Sequence, residues 1–186
     1  MSDKTTITVC REAALRIGKL ARERGLSLFK VASEALDLAA EVVIDGKTPA
    51  EAIPLVKLHK VAPVFDMVYM PLGIVAEILK EADTDVYLIQ FYDYGRELGA
   101  ALSKELKLSE LLKNGDVLKS LIPARRVEFQ RGALVVMLPP RSGKLAHLFA
   151  SFLRGLLDGF GCTRHTVSTS SNLIEANVSE CTSSEG

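Results

Sequence analysis

The sequence predicts an α+β chain in two parts: a small head of one strand and two helices, and a larger body in which an antiparallel sheet packs against helices. Three observations carry this. Residues 5–9 alternate with the two-residue period of a strand, and two stretches with the three-to-four period of helices follow them. Further along, two pairs of β-rich runs flank the turn signals Arg131-Gly132 and Ser170-Ser171-Asn172, as the strands of hairpins do. Long apolar periodic segments lie before and between those hairpins, so helices and sheet share one core.

In the head, Thr6 and Thr8 point to one face of the strand while Thr5, Ile7 and Val9 point to the other. Ala14, Ile17, Leu20 and Ala21 form the apolar stripe of a first helix, and Gly25 suits the left-handed residue that closes it. Ser27 offers an N-cap oxygen to a second helix, whose stripe is Val31, Ala32, Ala35, Leu36 and Ala39. One short strand and two short helices cannot bury enough apolar area alone, and a single strand leaves two bare edges. The unit is therefore expected to form a homodimer, with the strand paired to its twin in an antiparallel ribbon and four helices closed over Ile7 and Val9. Thr6 and Thr8 then remain outside, on a ribbon that fits the major groove of double-stranded DNA, and Lys4 beside them reaches bases or phosphate.

Residues 4–43 resemble a ribbon-helix-helix domain of the Arc and MetJ repressor type. The pattern basic-x-T-I-T-V, then a helix ending A-R-E-R-G-L-S, then a helix carrying A-L-D, matches in spacing without a gap. The resemblance implies an intertwined dimer in which Lys4, Thr6 and Thr8 read DNA. It also implies a phosphate held on the free amides at the start of the second helix, at Ser27 and Leu28, with Lys30 the basic residue nearby. Cys10 stands where the family often has a capping Ser or Asp. A lone T-x-T is an ordinary β-former on a solvated strand; here it comes with the Gly25 stop and the second helix.

The predicted boundaries are a DNA-binding and dimerisation domain over residues 1–46, a connector over 47–63, an α+β ligand-sensing domain over 64–181 and a disordered tail over 182–186. Thr48-Pro49-Ala50-Glu51 has the form of a capping box that starts a helix, and Pro54 and Pro63 make the connector irregular. Residues 64–70 fit strand or helix equally. A helix runs from Pro71 to Glu81, one long helix covers residues 85–106, and a shorter one covers 109–114 and stops at Gly115. Strands at 126–130 and 133–138 form the first hairpin, residues 144–160 an amphipathic helix, and strands at 164–169 and 173–179 the second hairpin. Gly95 and Gly99, one turn apart, let another element approach the long helix closely.

In order of elements, residues 65–180 resemble the small-molecule-binding domain of the four-vinyl-reductase type, whose relatives occur in haem-based nitric-oxide sensors and vesicle-tethering subunits. The segments YDYGRELGAAL and SFLRGLLDGFG carry that resemblance. It implies a sensor cavity between the long helices and the sheet, lined by Tyr87, Phe91, Tyr94, Phe149, Phe152 and Phe160. Separately, His147 on the helix before Phe152 is a candidate contact for a ligand or haem, although a lone histidine on a mostly apolar helix is more often a flank residue bonded to backbone or water. The same aromatic residues also serve as ordinary core fillers in a chain with no tryptophan.

Composition excludes several classes. The 186 residues carry a formal net charge of zero, so the chain as a whole is no basic nucleic-acid coat, yet residues 1–30 hold seven Lys and Arg against three acids. No apolar run approaches the ~18 residues that span a bilayer. With no secretory leader pattern, a cytoplasmic protein with no membrane partner is expected. Cys10, Cys162 and Cys181 are scattered and odd in number, which predicts reduced thiols. Cys162-x-x-His165 supplies two ligands where a structural zinc needs four, and Arg141-Ser142-Gly143-Lys144 lacks the earlier glycine of a phosphate loop, since Leu138 stands there. Neither catalysis nor a cofactor is expected. The function these patterns predict is a dimeric transcriptional regulator, tetrameric on adjacent half-sites, controlled by a small-molecule effector. An antitoxin with a protein partner and a scaffold whose head only dimerises are the other classes.

Overall fold

Caps set the limits of the N-terminal helices in the computed structural model, which describes residues 6–44, 46, 48–65, 72–80, 82–140 and 142–182. Helix α1 (Arg11–Glu23) closes at Gly25, which adopts φ +63°. Its N–H bonds Arg22 O at 3.2 Å and the Leu26 N–H returns to Ala21 O at 2.9 Å. Glycine permits this paired return because no Cβ resists the left-handed region. Helix α2 (Leu28–Ile44) follows, and Ser27 Oγ accepts from the Lys30 N–H at 3.1 Å as its cap. Cys10 occupies the N-cap position of α1 and makes no side-chain cap bond. Residues 6–10 are neither helix nor strand in the single chain. A strand is completed by a hydrogen-bonded neighbour, and the neighbour expected here is a second copy.

The chain divides into two units, Met1–Ala52 and Ile53–Gly186. Thr48 and Glu51 form the expected capping box: the Glu51 carboxylate accepts from the Thr48 N–H at 2.6 Å and Thr48 Oγ1 accepts from the Glu51 N–H at 3.4 Å. Helix α3 (Pro49–Val61) then runs through Pro54, where an irregular connector was expected. Pro54 deprives only the Ala50 carbonyl of its helical partner, and burial of Leu58 and Val61 in the core of the second unit favours the helix. A 3₁₀ turn, Ala62–Phe65, comes next. Residues 66–70, which fitted strand or helix, lie outside the described residues, as does Pro71.

Helix α4 (Leu72–Lys80) is tied at its C-terminal end by Lys144, whose Nζ donates to Leu79 O and Ala82 O at 3.5 and 3.0 Å. Helix α5 (Asp85–Leu102) stops four residues short of the expected end. Ser103 Oγ bonds back to Ala100 O at 2.9 Å, and the chain turns so that Leu106 buries. Helix α6 (Leu108–Lys113) follows. An unexpected helix α7 (Gly115–Leu121) comes after it, capped by Asn114 Oδ1, which accepts from the Val117 N–H at 3.2 Å. Gly115 therefore opens a helix as well as ending one. Val117, Leu118 and Leu121 of that helix all bury.

Strands β1 (Arg126–Gln130), β2 (Ala133–Met137), β3 (Thr166–Ser170) and β4 (Leu173–Asn177) form one antiparallel sheet in the order β1-β2-β4-β3. Pairing of Gln130 with Ala133 and of Ser170 with Leu173 makes both hairpin loops two residues long. The second had been expected to need three. Arg131 and Gly132 adopt φ 51° and 78°, the positive pair of a type I′ turn, which matches strand twist. Leu134, Val136, Ile174 and Ala176 bury from the central strands, and helix α8 (Gly143–Gly159) packs over β3 and β4. The architecture is α+β, with helices packed against a four-stranded antiparallel sheet.

Helices α5 and α8 run in the same direction and touch main chain to main chain. A Cβ at Gly95 would overlap Phe152 O, one at Gly99 would overlap Leu156 O, one at Gly155 would overlap Tyr92 O, and one at Gly159 would overlap Arg96 O. Two further findings correct the sequence reading. Thr182 closes a last helical turn, α9 (Ser179–Thr182), rather than opening a tail, and residues 183–186 lie outside the described residues. Cys162 and Cys181 are not reduced but joined, with Cα atoms 5.3 Å apart, because the β3–β4 hairpin carries the chain out and back between them. Cys10 is free and exposed.

Candidate functional site

Where the glycines of α5 and α8 end, rings begin. Towards the N-terminal ends of the two helices Phe91 and Phe149 meet edge to face, with centroids 5.9 Å apart and planes at 83°. Tyr94 lies beside Phe152 at 6.5 Å and edge-on to Phe65 at 5.5 Å, and its hydroxyl donates to Phe65 O at 2.7 Å. Ser151 Oγ donates to Leu88 O at 2.8 Å, tying the two helices at this level. Between α5, α8 and the end of α7 these side chains leave a cavity of about 360 Å³, lined by Gln90, Phe91, Tyr94, Leu121, Phe149 and Phe152. Among the described residues no charged side chain lines it. Gln90 contributes an amide and Tyr94 a phenol to an otherwise apolar wall.

Four of the seven residues named from the sequence for ligand binding, Phe91, Tyr94, Phe149 and Phe152, thus come together. Tyr87 lies one turn further out on α5, 40% exposed, and does not line the cavity. Nor does His147, because two residues before Phe149 on a helix means a rotation of about 200°. Its Nδ1 instead lies 3.3 Å from Thr169 Oγ1. Phe160 lines a separate, more polar recess with Lys57, Lys104 and Lys107. Leu121 went unnoticed because α7 did, and Gln90 because a polar residue in a β-rich stretch carries no signal.

A polar cluster links Tyr92 of α5 to the C-terminal turn of α8. Asp158 accepts from the Tyr92 hydroxyl at 2.7 Å on one carboxylate oxygen, and His165 Nε2 lies 3.0 Å from the other. With Nε2–H assigned as donor to the carboxylate, Nδ1 is the bare acceptor of the ring. That atom is buried with no partner among the described residues. The Tyr92 phenol is pushed above its ordinary pKa, first by its hydrogen bond to Asp158, then by burial and by the Asp158 charge. The cluster joins α5, the last turn of α8 and the segment leading into β3. Sequence spacing had paired His165 with Cys162; the fold pairs it with Asp158. Among the described residues no group of three or more His, Cys, Asp or Glu could hold a metal ion, and no helix is long and apolar enough to cross a membrane.

In the first unit Thr6 and Thr8 are exposed, Ser27 Oγ is engaged as a helix cap, and Leu28 opens α2 with its side chain 52% exposed. Lys30 Nζ lies 3.9 Å from Glu34, both on the surface. Lys4 lies outside the described residues. Of the large apolar side chains here, Ile7, Val9, Leu15, Leu36, Leu38 and Val43 are all about half exposed or more, and Ala21 is the buried residue of the helix pair. No protein-family model, no curated protein and no solved structure matches the chain.

Proposed function

We propose that this protein is a homodimeric, sequence-specific DNA-binding transcriptional regulator whose C-terminal unit binds a neutral, largely apolar small molecule. The observation that carries the proposal is the bareness of the first unit. Two helices joined through the Gly25 and Ser27 caps, and the alternating residues 6–9, leave Ile7, Val9, Leu36 and Leu38 about half exposed or more. Burying each such side chain fully is worth roughly 1.5–3 kcal/mol. A second copy supplies both the missing strand neighbour and the missing core, in a ribbon-helix-helix arrangement with Thr6 and Thr8 outward. Residues Lys4, Thr6 and Thr8 then face base edges, while the amides at Ser27 and Leu28, with Lys30, meet a phosphate.

The cavity supports the sensing half of the reading. Its 360 Å³ falls within the size range of ligand sites, and its walls offer rings with a few polar atoms. An effector alters DNA affinity only by binding one DNA-competent state better than another.

The test is a pull-down of fragmented genomic DNA at fixed moderate salt, comparing wild type with the Thr6→Ala/Thr8→Ala variant. Salt is held constant because phosphate contacts alone retain DNA unspecifically. Enrichment of a few palindromic sites, lost in the variant, is the expected result. Equal diffuse retention by both proteins would reject base reading and leave a head that only dimerises.

A further inference from the structure

We propose that the recess formed by α3, the ends of α5 and α8 and the start of α6 binds a small phosphomonoester that carries a flat apolar group. This goes beyond DNA binding and effector sensing, and does not depend on either. The recess has a volume of about 420 Å³, and the side chains that set its chemistry are Lys57, Lys104, Glu105, Lys107, Glu110 and Phe160. Three ammoniums against two carboxylates leave one positive charge in surplus. One of the two acids is already committed: Glu110 Oε2 accepts from the Lys107 N–H at 2.9 Å and lies 3.8 Å from Lys57 Nζ. The Lys57 side chain is only 27% exposed, so that pair is part of the wall. Glu105 is then the acid set against Lys104 and Lys107, whose ammoniums have no carboxylate partner among the described residues.

Nor does the fold need those two ammoniums. Lysines gather at helix C-termini to satisfy the last carbonyls, but the end of α5 satisfies its own. Gly99 O accepts from the Ser103 N–H and Ala100 O from Ser103 Oγ, both at 2.9 Å. Ala101 O accepts from the Lys104 N–H at 3.3 Å, and Leu102 O from the Leu106 N–H at 2.9 Å. Leu106 and Leu108 bury on either side of Lys107 and pin the turn. Two cationic stems, three residues apart, therefore start from a fixed base.

The ligand class follows from what is left over. A phosphomonoester carries a charge of about −1.5 to −2 at pH 7 and three acceptor oxygens. It can engage the ammoniums of Lys104 and Lys107 together, whereas a monoanion balances only one of them. Phe160, half-buried at the C-cap of α8, supplies a ring against which a flat apolar group can rest. A positively charged recess with one aromatic wall selects for both halves of such a molecule, and the apolar cavity, with no cation in its lining, selects against its phosphate.

The experiment titrates the isotope-labelled full chain at neutral pH with phenyl phosphate, and in parallel with phenol and with inorganic phosphate, following backbone amide shifts by NMR. Expected is saturable binding of phenyl phosphate with a Kd of about 1 mM or tighter, weakening as salt is added. The shifts should centre on residues 103–108 and 160, and phenol should leave those residues unmoved. Lys104→Gln/Lys107→Gln, at two exposed positions, should weaken binding by about tenfold or more. Phe160→Leu should bring phenyl phosphate down to the affinity of inorganic phosphate. No saturable binding, an affinity unchanged in the double lysine variant, or shifts centred on residues 90, 94, 149 and 152 of the apolar cavity would each overturn the proposal.

Discussion

Tyr92 shows how much one side chain can hold in this unit. Its hydroxyl bonds Asp158, which also engages His165, so three separate segments meet on one carboxylate. The folded pKa of Tyr92 lies above its unfolded value of 10.0. The neutral phenol's contribution is therefore complete below about pH 10 and is lost as pH rises through the folded pKa. Tyr92→Phe should lower stability at pH 7 by about 1 kcal/mol. In thermal melts its Tm should fall below wild type at neutral pH, and the gap should narrow above pH 10. A gap that stays constant across that range would show the hydroxyl bond to be unimportant. None of this was legible in the sequence, because Tyr92, Asp158 and His165 are brought together by helix packing and spacing has no access to it. Gly25 and Ser27 were legible for the opposite reason: each acts within four residues of itself.

At the scale of elements, the α5–α8 crossing is the strongest constraint in the second unit. Gly155→Ala places a Cβ against Tyr92 O, a main-chain atom that can yield only by moving a helix. A net loss of about 1–3 kcal/mol is expected, beyond the small gain in helix propensity. Gly73 on α4 is the control: among the described residues nothing lies within 4 Å of an added Cβ, so Gly73→Ala should be neutral or gain up to about 1 kcal/mol. Urea unfolding of both variants reads the contrast, and equal effects would mean the crossing is not as tight as described. Gly95 and Gly99 announced a close approach in the sequence, and both hairpins were legible from their turn residues. What escaped was where helices break: residues 85–106 hold one apolar period throughout, yet α5 ends at Leu102 because burying Leu106 favours a turn over another helical one. Pro54 misled in the other direction, since tertiary burial of Leu58 and Val61 outweighs one missing hydrogen bond.

At the scale of the whole molecule the two units differ in what they need. The second has its own core, whereas the first buries only Ala21 of its helical stripes and leaves Ile7, Val9, Leu36 and Leu38 about half exposed or more. If a second copy completes the first unit, its stability depends on concentration by mass action. Hydrogen exchange on the full chain at several dilutions should show protection of α1 and α2 falling as the protein is diluted, with α5 and α8 constant. Protection of α1 and α2 that ignores concentration would remove the dimer from the account. The expected division of labour, head for DNA and body for effector, could be read from residues 4–43 far more sharply than from residues 65–180. Local caps and alternation define the head, whereas the body's cavity exists only where α5, α7 and α8 meet. Two of those three helices are held at a distance set by peptide groups, with no side chain between them to shrink or grow. The cavity therefore has a built-in gauge. A lineage that traded one effector for a bulkier one could not spread the helices to make room. It would be expected to keep glycine at 95, 99, 155 and 159 and to exchange the rings at 91, 94, 149 and 152 for smaller side chains.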